Sequence, residues 1–108
     1  MYKLIIMVEP PQDPLAFEEA WPDFLHQAEK MPGLVSEAAV LIASTLVGDN
    51  QVYMIHELFF ETQEALKTAM ASSQGQASGQ ILQRITAGKM RLLIAEHSED
   101  DPGLLRPA

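Results

Sequence analysis

The sequence predicts an α+β domain in which strands and helices follow the order βαββαβ. Four short segments rich in branched apolar residues alternate with two longer regions whose apolar residues recur every three or four positions. Prolines, glycines and an Asp-Asn pair separate these segments. At 108 residues, the chain has room for one domain with one hydrophobic core.

The chain begins with a predicted strand and a predicted helix. Residues 4–8 form a continuous apolar run ended by two prolines, which is typical of a strand buried on both faces. Asp13 before Pro14 predicts the start of the first helix, because Asp is a preferred N-cap and proline fits the first helical position. Pro22 is expected to bend this helix or to start its second segment. A Pro-Gly pair at residues 32–33 ends it.

Two strands joined by a turn are predicted next. Residues 34–47 are interpreted as one long, irregular strand with a kink or bulge near its small residues. A Gly-Asp-Asn turn follows at residues 48–50, and residues 52–60 form the third strand. Thr62 is a suitable N-cap for the second helical region.

The last third contains two helical segments, a strand and a tail. Residues 72–75, Ser-Ser-Gln-Gly, divide the second helical region, and Gly88 ends its second segment. Residues 90–95 are the predicted fourth strand. The domain is therefore expected to span residues 1–98, with residues 99–108 as a C-terminal tail that is flexible or laid on a partner.

The order βαββαβ is the split-βαβ, ferredoxin-like arrangement, in which helices cover one face of a four-stranded antiparallel sheet. In the first and fourth strands both alternating sets of side chains are largely apolar. A sheet with one wet face alternates apolar with polar residues instead. The second face is therefore predicted to be covered by another copy of the chain, which makes the protein a homodimer.

The composition disfavours several classes of partner. The chain has 15 acidic and 7 basic residues, a net charge of −8 that repels nucleic acids and anionic membranes. It has no cysteine, so it forms no disulfide and no thiolate metal site. The N-terminal apolar run is too short to span a bilayer and lacks the features of a signal peptide. A cytoplasmic location is expected.

His56 is the candidate catalytic residue. It alternates along the third strand with Met54, Leu58 and Phe60, and Phe60 should pack beneath the helix that follows. The same alternation places His56 on the helix-facing side of the sheet. Burial there would lower the pKa of the imidazole and keep it neutral, as a general base requires. The alternative is a core histidine that hydrogen-bonds to the backbone or to water.

Four apolar side chains are expected to form a substrate-binding pocket beside His56. They are Trp21, Phe24 and Leu25 of the first helix and Met54 of the third strand. The alternative is ordinary core packing, because protein interiors are normally filled.

The opposite side of the third strand is predicted to face the second copy. Tyr53, Ile55, Glu57 and Phe59 share this side by alternation. Glu57 is expected to form an ion pair or hydrogen bond in that interface, because an unpaired carboxylate is rarely buried.

The other two histidines are weaker candidates. His97 follows the fourth strand among acidic residues, where it is either a second proton-handling group or an exposed histidine. His26 is expected on a solvated or half-buried helix position. The three histidines show no metal-ligand spacing, and nothing favours a haem ligand, so no metal and no cofactor are predicted.

Several segments together resemble the EthD family, named for ethyl tert-butyl ether degradation. They are MYKLII at residues 1–6, the helix with Trp21, MPGL at 31–34, ELFFET at 57–62 and ASSQGQA at 71–77. The resemblance extends to His97. It implies a dimeric α+β barrel, in which two ferredoxin-like subunits pack sheet to sheet.

The resemblance leaves the activity open. Proteins of this barrel include polyketide cyclases, muconolactone isomerases, cofactor-free monooxygenases and haem enzymes, so the fold does not identify the function. Many EthD members carry a histidine about eight residues before the Pro-Gly turn, where this sequence has Phe24. A catalytic histidine in the first helix is therefore not carried over.

Two functions are consistent with these observations. The first is a small-molecule pocket protein that acts without a cofactor, by proton transfer through His56, on an apolar or aromatic metabolite. The second is a non-catalytic accessory or carrier protein that assists an oxygenase pathway. A third reading is a dimer with a fully packed interior, and the presence of a ligand-sized hollow distinguishes it from the other two.

Overall fold

The computed structural model describes residues 1–100 and has the predicted element order, with the second helical region present as two helices. Its elements are β1 (Tyr2–Val8), α1 (Pro14–Ala28), β2 (Ser36–Leu41), β3 (Met54–Phe60), α2 (Gln63–Ala71), α3 (Ser73–Thr86) and β4 (Met90–Glu96). Most of the predicted tail, residues 101–108, lies outside the described residues. None of the three described helices is both long and apolar enough to cross a membrane.

The four strands form one antiparallel sheet in the order β2-β3-β1-β4. Strands β1 and β3 are central, and the register places Ile6 of β1 between His56 of β3 and Leu92 of β4. Alternate residues of β1 and β3 are buried against the helices, and the residues between them are half-buried. The ferredoxin-like fold predicted from the sequence is confirmed.

Helix α1 starts where the sequence predicts it. The Asp13 side chain accepts a hydrogen bond of 3.1 Å from the backbone N–H of Ala16, which satisfies one of the free donors of the first turn. The helix continues through Pro22 to Ala28, although proline offers no N–H to the preceding turn. Pro22 is exposed, so water can reach the backbone carbonyl one turn earlier, which the missing N–H of proline leaves without its helical partner.

The prediction of one long strand over residues 34–47 is wrong. Strand β2 covers only Ser36–Leu41, because its ladder with β3 ends at the pair Leu41–Met54. Within residues 1–100, the segment that follows has no strand partner, and it exposes 95% of Leu46 and 93% of Val47. An apolar run alone predicts burial, whereas a strand also needs a neighbour that takes up its backbone hydrogen bonds.

Helices α2 and α3 meet at Ser72, which ends one helix and starts the next. The hydroxyl of Ser72 accepts a 3.0 Å hydrogen bond from the N–H of Gly75. A Cβ on Gly75 would overlap the carbonyl oxygen of Ala69. The small residue therefore lets the first turn of α3 approach the end of α2.

Among residues 1–100, no element covers the face of the sheet away from the helices. Ile5 and Met7 of β1 share it with Ile55 and Phe59 of β3, by alternation and register. It also carries an ion pair of 2.7 Å between Lys3 and Glu57, both largely shielded from solvent. We call this surface the open face.

The prediction that Tyr53 shares the open face is wrong. Its phenol donates a 2.7 Å hydrogen bond to the Glu18 carboxylate on α1, and its ring contacts Phe17 edge-on. The strand begins only at Met54, so the alternation that places Ile55 does not extend to the residue before it.

A matched pair of glycine substitutions tests the packing at the α2–α3 junction. Gly75→Ala should destabilise the protein by about 1–3 kcal/mol, because the new methyl group meets backbone that has no room to move. Gly79→Ala should instead stabilise it by roughly 0.5–1 kcal/mol, because nothing lies within 4 Å and alanine favours a helix. Urea unfolding measures both, and equal effects of the two substitutions would contradict the packing.

Candidate functional site

His56 lies in the layer between the sheet and the helices, as predicted. Only 3% of its surface is exposed. Its ring meets the rings of Trp21 and Phe24 edge-on, with centroids 5.6 and 6.4 Å away. Both aromatic residues come from α1, one turn apart, so the helix face that packs on β3 surrounds the imidazole.

The two nitrogen atoms of His56 have different surroundings. Nε2 lies 3.0 Å from Oε1 of Glu37 on β2, whereas buried Nδ1 has no hydrogen-bond partner within residues 1–100. A buried polar atom without a partner costs roughly 1–3 kcal/mol, so its presence calls for an explanation. Burial lowers the pKa of His56, and the charges of Glu29 and Glu57 oppose that shift without reversing it. The imidazole is therefore neutral near pH 7.

Glu37 connects the imidazole to a second carboxyl group. It pairs with Leu58 in the β2–β3 ladder, which places its side chain on the helix-facing side and diagonal to His56. The carboxyl of Glu29, the residue that caps the C-terminus of α1, lies in hydrogen-bonding contact with it. Burial, this contact and the charge of Glu29 raise the pKa of Glu37 from 4.5 to about 7. A carboxyl with that pKa exchanges protons at neutral pH.

An open groove of about 460 Å³ lies beside this group, between α1 and the edge strand β2. Its lining is mostly apolar and consists of Phe17, Glu18, Trp21, Ala39, Leu41, Ile42, Tyr53 and Met54. Ala39 is the register partner of His56, and Trp21 contacts its ring. The groove is therefore one side chain away from the imidazole, and His56 itself is not among its lining residues.

The predicted pocket residues divide between two hollows. Trp21 and Met54 line the groove, whereas Phe24 lines an internal hollow of about 60 Å³ between the helices and the sheet. That hollow has room for a few waters at most. Leu25 is half-buried against the core and lines neither space.

One polar pair marks the groove. The hydrogen bond from Tyr53 to Glu18 raises the pKa of the phenol and fixes its position between α1 and β3. The pair leaves acceptor oxygens at a wall that is otherwise apolar, so a ligand with an O–H or N–H group would find a partner there.

The remaining histidines lie away from the groove. His97 packs edge-on against Phe59 of the open face, with its Nε2 3.6 Å from Glu99. His26 is exposed on α1 and accepts a hydrogen bond from Lys30. Within residues 1–100, no group of three or more histidine and acidic residues is arranged to hold a metal ion.

Comparison with solved structures places this arrangement among known proteins. An ethyl tert-butyl ether degradation (EthD) family protein from Bacillus halodurans C-125 has a TM-score of 0.85 and 29% identity, with the match covering 91% of this chain and 99% of that one. The predicted resemblance to the EthD family is confirmed. No protein-family model matches the chain, and no curated protein matches it.

More distant structures share the fold of this EthD-like chain. A dimeric ferredoxin-like protein of unknown function from Jannaschia sp. CCS1 has a TM-score of 0.67 and 17% identity, and the match covers 89% of this chain and 98% of that one. SnoaB, a cofactor-independent oxygenase from Streptomyces nogalater, has a TM-score of 0.66 and 12% identity over 94% of this chain and 96% of its own. At these identities the likeness shows the fold alone.

Sequence reasoning missed the two carboxyl groups beside His56. Glu37 is the only charged residue of β2, in a strand that is otherwise small or apolar, and this isolated charge was the available signal. Its position depends on the β2–β3 register, which an irregular strand over residues 34–47 does not define. Glu29 follows α1 in sequence, and only the tertiary packing brings it to Glu37.

The titration of Glu37 provides a direct test of the carboxyl pair. Glu29→Gln should lower the pKa of Glu37 from about 7 towards its ordinary value, because it removes a charge and supplies an amide donor to the ionised carboxylate. Carbon-13 NMR of the side-chain carboxyls measures this shift. Glu19→Gln, at an exposed position of α1, is the control and should leave Glu37 unchanged.

The same carboxyl affects stability with a defined sign. The folded protein retains the proton of Glu37 up to about pH 7, whereas the unfolded chain releases it near 4.5. The contribution of Glu37 is therefore complete below pH 4.5 and is lost as the pH rises towards 7. This loss should shrink in Glu29→Gln, and a Glu37 pKa that does not respond to that change would rule out the pairing.

Proposed function

We propose that this EthD-like protein binds a small apolar or aromatic molecule in the groove between α1 and β2, and that His56 acts on it as a general base without a cofactor. The observation that carries the proposal is the buried Nδ1 of His56, which has no hydrogen-bond partner among residues 1–100, in a ring that contacts the groove-lining Trp21. The neutral imidazole has a free nitrogen available for a proton.

The groove suits such a ligand in size and chemistry. Its volume of about 460 Å³ lies within the range of roughly 300–1,000 Å³ typical of small-molecule sites. Phe17 and Trp21 offer aromatic surfaces on one side, and Leu41 and Ile42 offer aliphatic surfaces on the other. Leu41 and Ile42 are exposed in the single chain, so a bound apolar molecule would cover them.

Proton transfer requires the ligand to reach Nδ1. Trp21 both lines the groove and contacts the imidazole, so a turn of its side chain would open the path between them. The substrate proton would pass to Nδ1, while Nε2 keeps its contact with Glu37. The reaction class is abstraction of a weakly acidic proton, for which phenols and enolisable ketones are suitable substrates.

The structural relatives are compatible with this proposal. SnoaB is named a cofactor-independent oxygenase, and a protein from Caulobacter crescentus is named a putative antibiotic biosynthesis monooxygenase. Both share less than a fifth of their residues with this chain. Their names therefore indicate an activity that this fold can carry, and they identify no substrate.

A second candidate function is a non-catalytic carrier or accessory protein of an oxygenase system. It is favoured by Phe24, which stands where many EthD members carry a histidine, and by the separation of His56 from the groove lining. Such a protein would bind the same ligands without turning them over. Its oxygenase partner and a cytoplasmic location stay predictions.

We also propose that two copies associate through the open face. Ile5, Met7, Ile55 and Phe59 would pair with their equivalents, and the Lys3–Glu57 ion pair ensures that neither charge is buried without a partner. Structures from Jannaschia sp. CCS1 and Thermobifida fusca are named dimeric ferredoxin-like proteins, which supports this assembly.

Ligand binding is tested by the fluorescence of Trp21, the single tryptophan of the chain. Titration with phenols, naphthols and quinones should change this fluorescence to saturation. Ala39→Phe should abolish the response, because a phenyl ring fills the groove beside Trp21. Ala71→Phe places the same ring on an exposed position of α2 and should leave binding intact.

Turnover of the ligands that bind separates the two functions. For an enzyme, His56→Gln should lower turnover by roughly 10²–10⁴-fold, the usual contribution of a general base, with a smaller change in affinity. For a carrier, the wild-type protein turns over none of its ligands. An absence of saturable binding across the library would reject both functions.

Assembly is tested by a charge placed on the open face. The wild-type protein should sediment as a dimer at micromolar concentration, whereas Ile55→Asp should sediment as a folded monomer or unfold, because it buries an unpaired charge. Leu15→Asp is the matched control, since Leu15 is exposed on α1. A wild-type protein that is a stable monomer would disprove the dimer.

A further inference from the structure

Resting on the proposed role of His56, we propose that Glu37 is its positioning residue, which together with Glu29 fixes the imidazole as the Nε2–H tautomer and carries its proton to solvent. The three groups form a continuous line from the buried layer to the surface. His56 is almost fully buried, Glu37 is partly exposed at the edge strand, and Glu29 is exposed after the last turn of α1.

The tautomer follows from a count of hydrogens. Two carboxyl groups in hydrogen-bonding contact need one proton between them, since two carboxylates offer only acceptors. If Glu37 and Glu29 share that proton, Glu37 has none left for His56. The 3.0 Å contact between Nε2 and Oε1 must then contain the imidazole hydrogen, with Nε2 as the donor. Nδ1 then carries no hydrogen and is a bare acceptor, so no buried N–H group of the ring is left without an acceptor.

The charges around the pair favour the shared proton. Within residues 1–100, no lysine or arginine forms an ion pair with Glu29 or Glu37. Lys3 is paired with Glu57 on the opposite face of the sheet, and Lys30 bonds to His26. Two adjacent carboxylates without a cation repel each other, and one proton between them removes that repulsion.

The same contacts provide a path for the proton taken from a substrate. When Nδ1 accepts that proton, the imidazolium holds one hydrogen on each nitrogen. The Nε2 hydrogen can then move to Oε1 of Glu37, which restores a neutral ring with its hydrogen on Nδ1. The carboxyl pair releases its extra proton to water through exposed Glu29. The starting tautomer returns when Nδ1 gives its hydrogen to the product or to water and Nε2 regains one from the carboxyl pair, which takes up a proton from water in turn, so every proton is accounted for.

Nitrogen-15 NMR tests the tautomer without any substrate. The chain has three histidines, so His56 is assigned by the signal that disappears in His56→Gln, and His26 and His97 serve as internal references. In the wild-type protein, Nε2 of His56 should be protonated and Nδ1 bare at one pH unit on either side of about 7. A protonated Nδ1 with a bare Nε2 would overturn the proposal, because Glu37 would then be the donor.

Two substitutions separate positioning from proton transfer. Glu37→Gln keeps an acceptor for Nε2–H and a donor to Glu29, so the tautomer should persist. Exchange of that hydrogen with water should nevertheless slow by at least about tenfold, because an amide takes up no proton near neutral pH. Glu37→Leu should lose the fixed tautomer and give an average of both forms. A pure Nε2–H tautomer in Glu37→Leu, or unchanged exchange in Glu37→Gln, would contradict the proposal.

These outcomes are independent of the proposed function. A protein that binds no ligand in the groove can still show the fixed tautomer, which would reject the function and retain the positioning role. Conversely, saturable binding with the opposite tautomer would retain the pocket and reject Glu37 as the positioning residue. Glu19→Gln, which lies outside the carboxyl pair, should change neither signal.

Discussion

The side chains of β3 alternate between the helix layer and the open face, and both proposed surfaces of the protein depend on this alternation. Because β3 is paired on both sides, to β1 and β2, its register cannot slip without moving every side chain to the wrong face. His56 therefore points into the layer under α1, while Ile55 and Glu57 on either side of it point away. Neighbouring residues of β3 face opposite sides of the sheet. A backbone shift caused by a ligand on one side would therefore also move side chains of the proposed interface on the other.

A buried imidazole needs support in a layer that is otherwise apolar. Trp21 and Phe24 supply surface but no strong acceptor, so the only polar partner of His56 among the described residues is Glu37. Glu37 meets this need from an edge strand, where its carboxyl also contacts Glu29 and its charge is partly hydrated. The edge position thus lets one network contain a nitrogen shielded from water at one end and a hydrated carboxyl at the other.

The sequence was most informative where local rules act alone. The N-cap at Asp13 and the helix-facing side of His56 needed only neighbouring residues and an alternation anchored by buried Phe60. It failed where the outcome depends on a distant partner. Exposed residues 42–47 are as apolar as a strand, yet β3 offers them no ladder. The contact between Glu37 and His56 could not be predicted without that register. The groove depends on the distance between α1 and β2, which no local sequence pattern encodes.

His56 enters the layer between the sheet and the helices from strand β3. Phe24 reaches the same layer from α1, and its ring lies 6.4 Å from the ring of His56. A histidine on a strand is held by the sheet, so its second nitrogen meets a group on the next strand, and in this chain that group is Glu37. The hydrogen-bond partner of His56 is consequently set by strand pairing, and a change in the β2–β3 register would alter the surroundings of the imidazole without altering the residue itself.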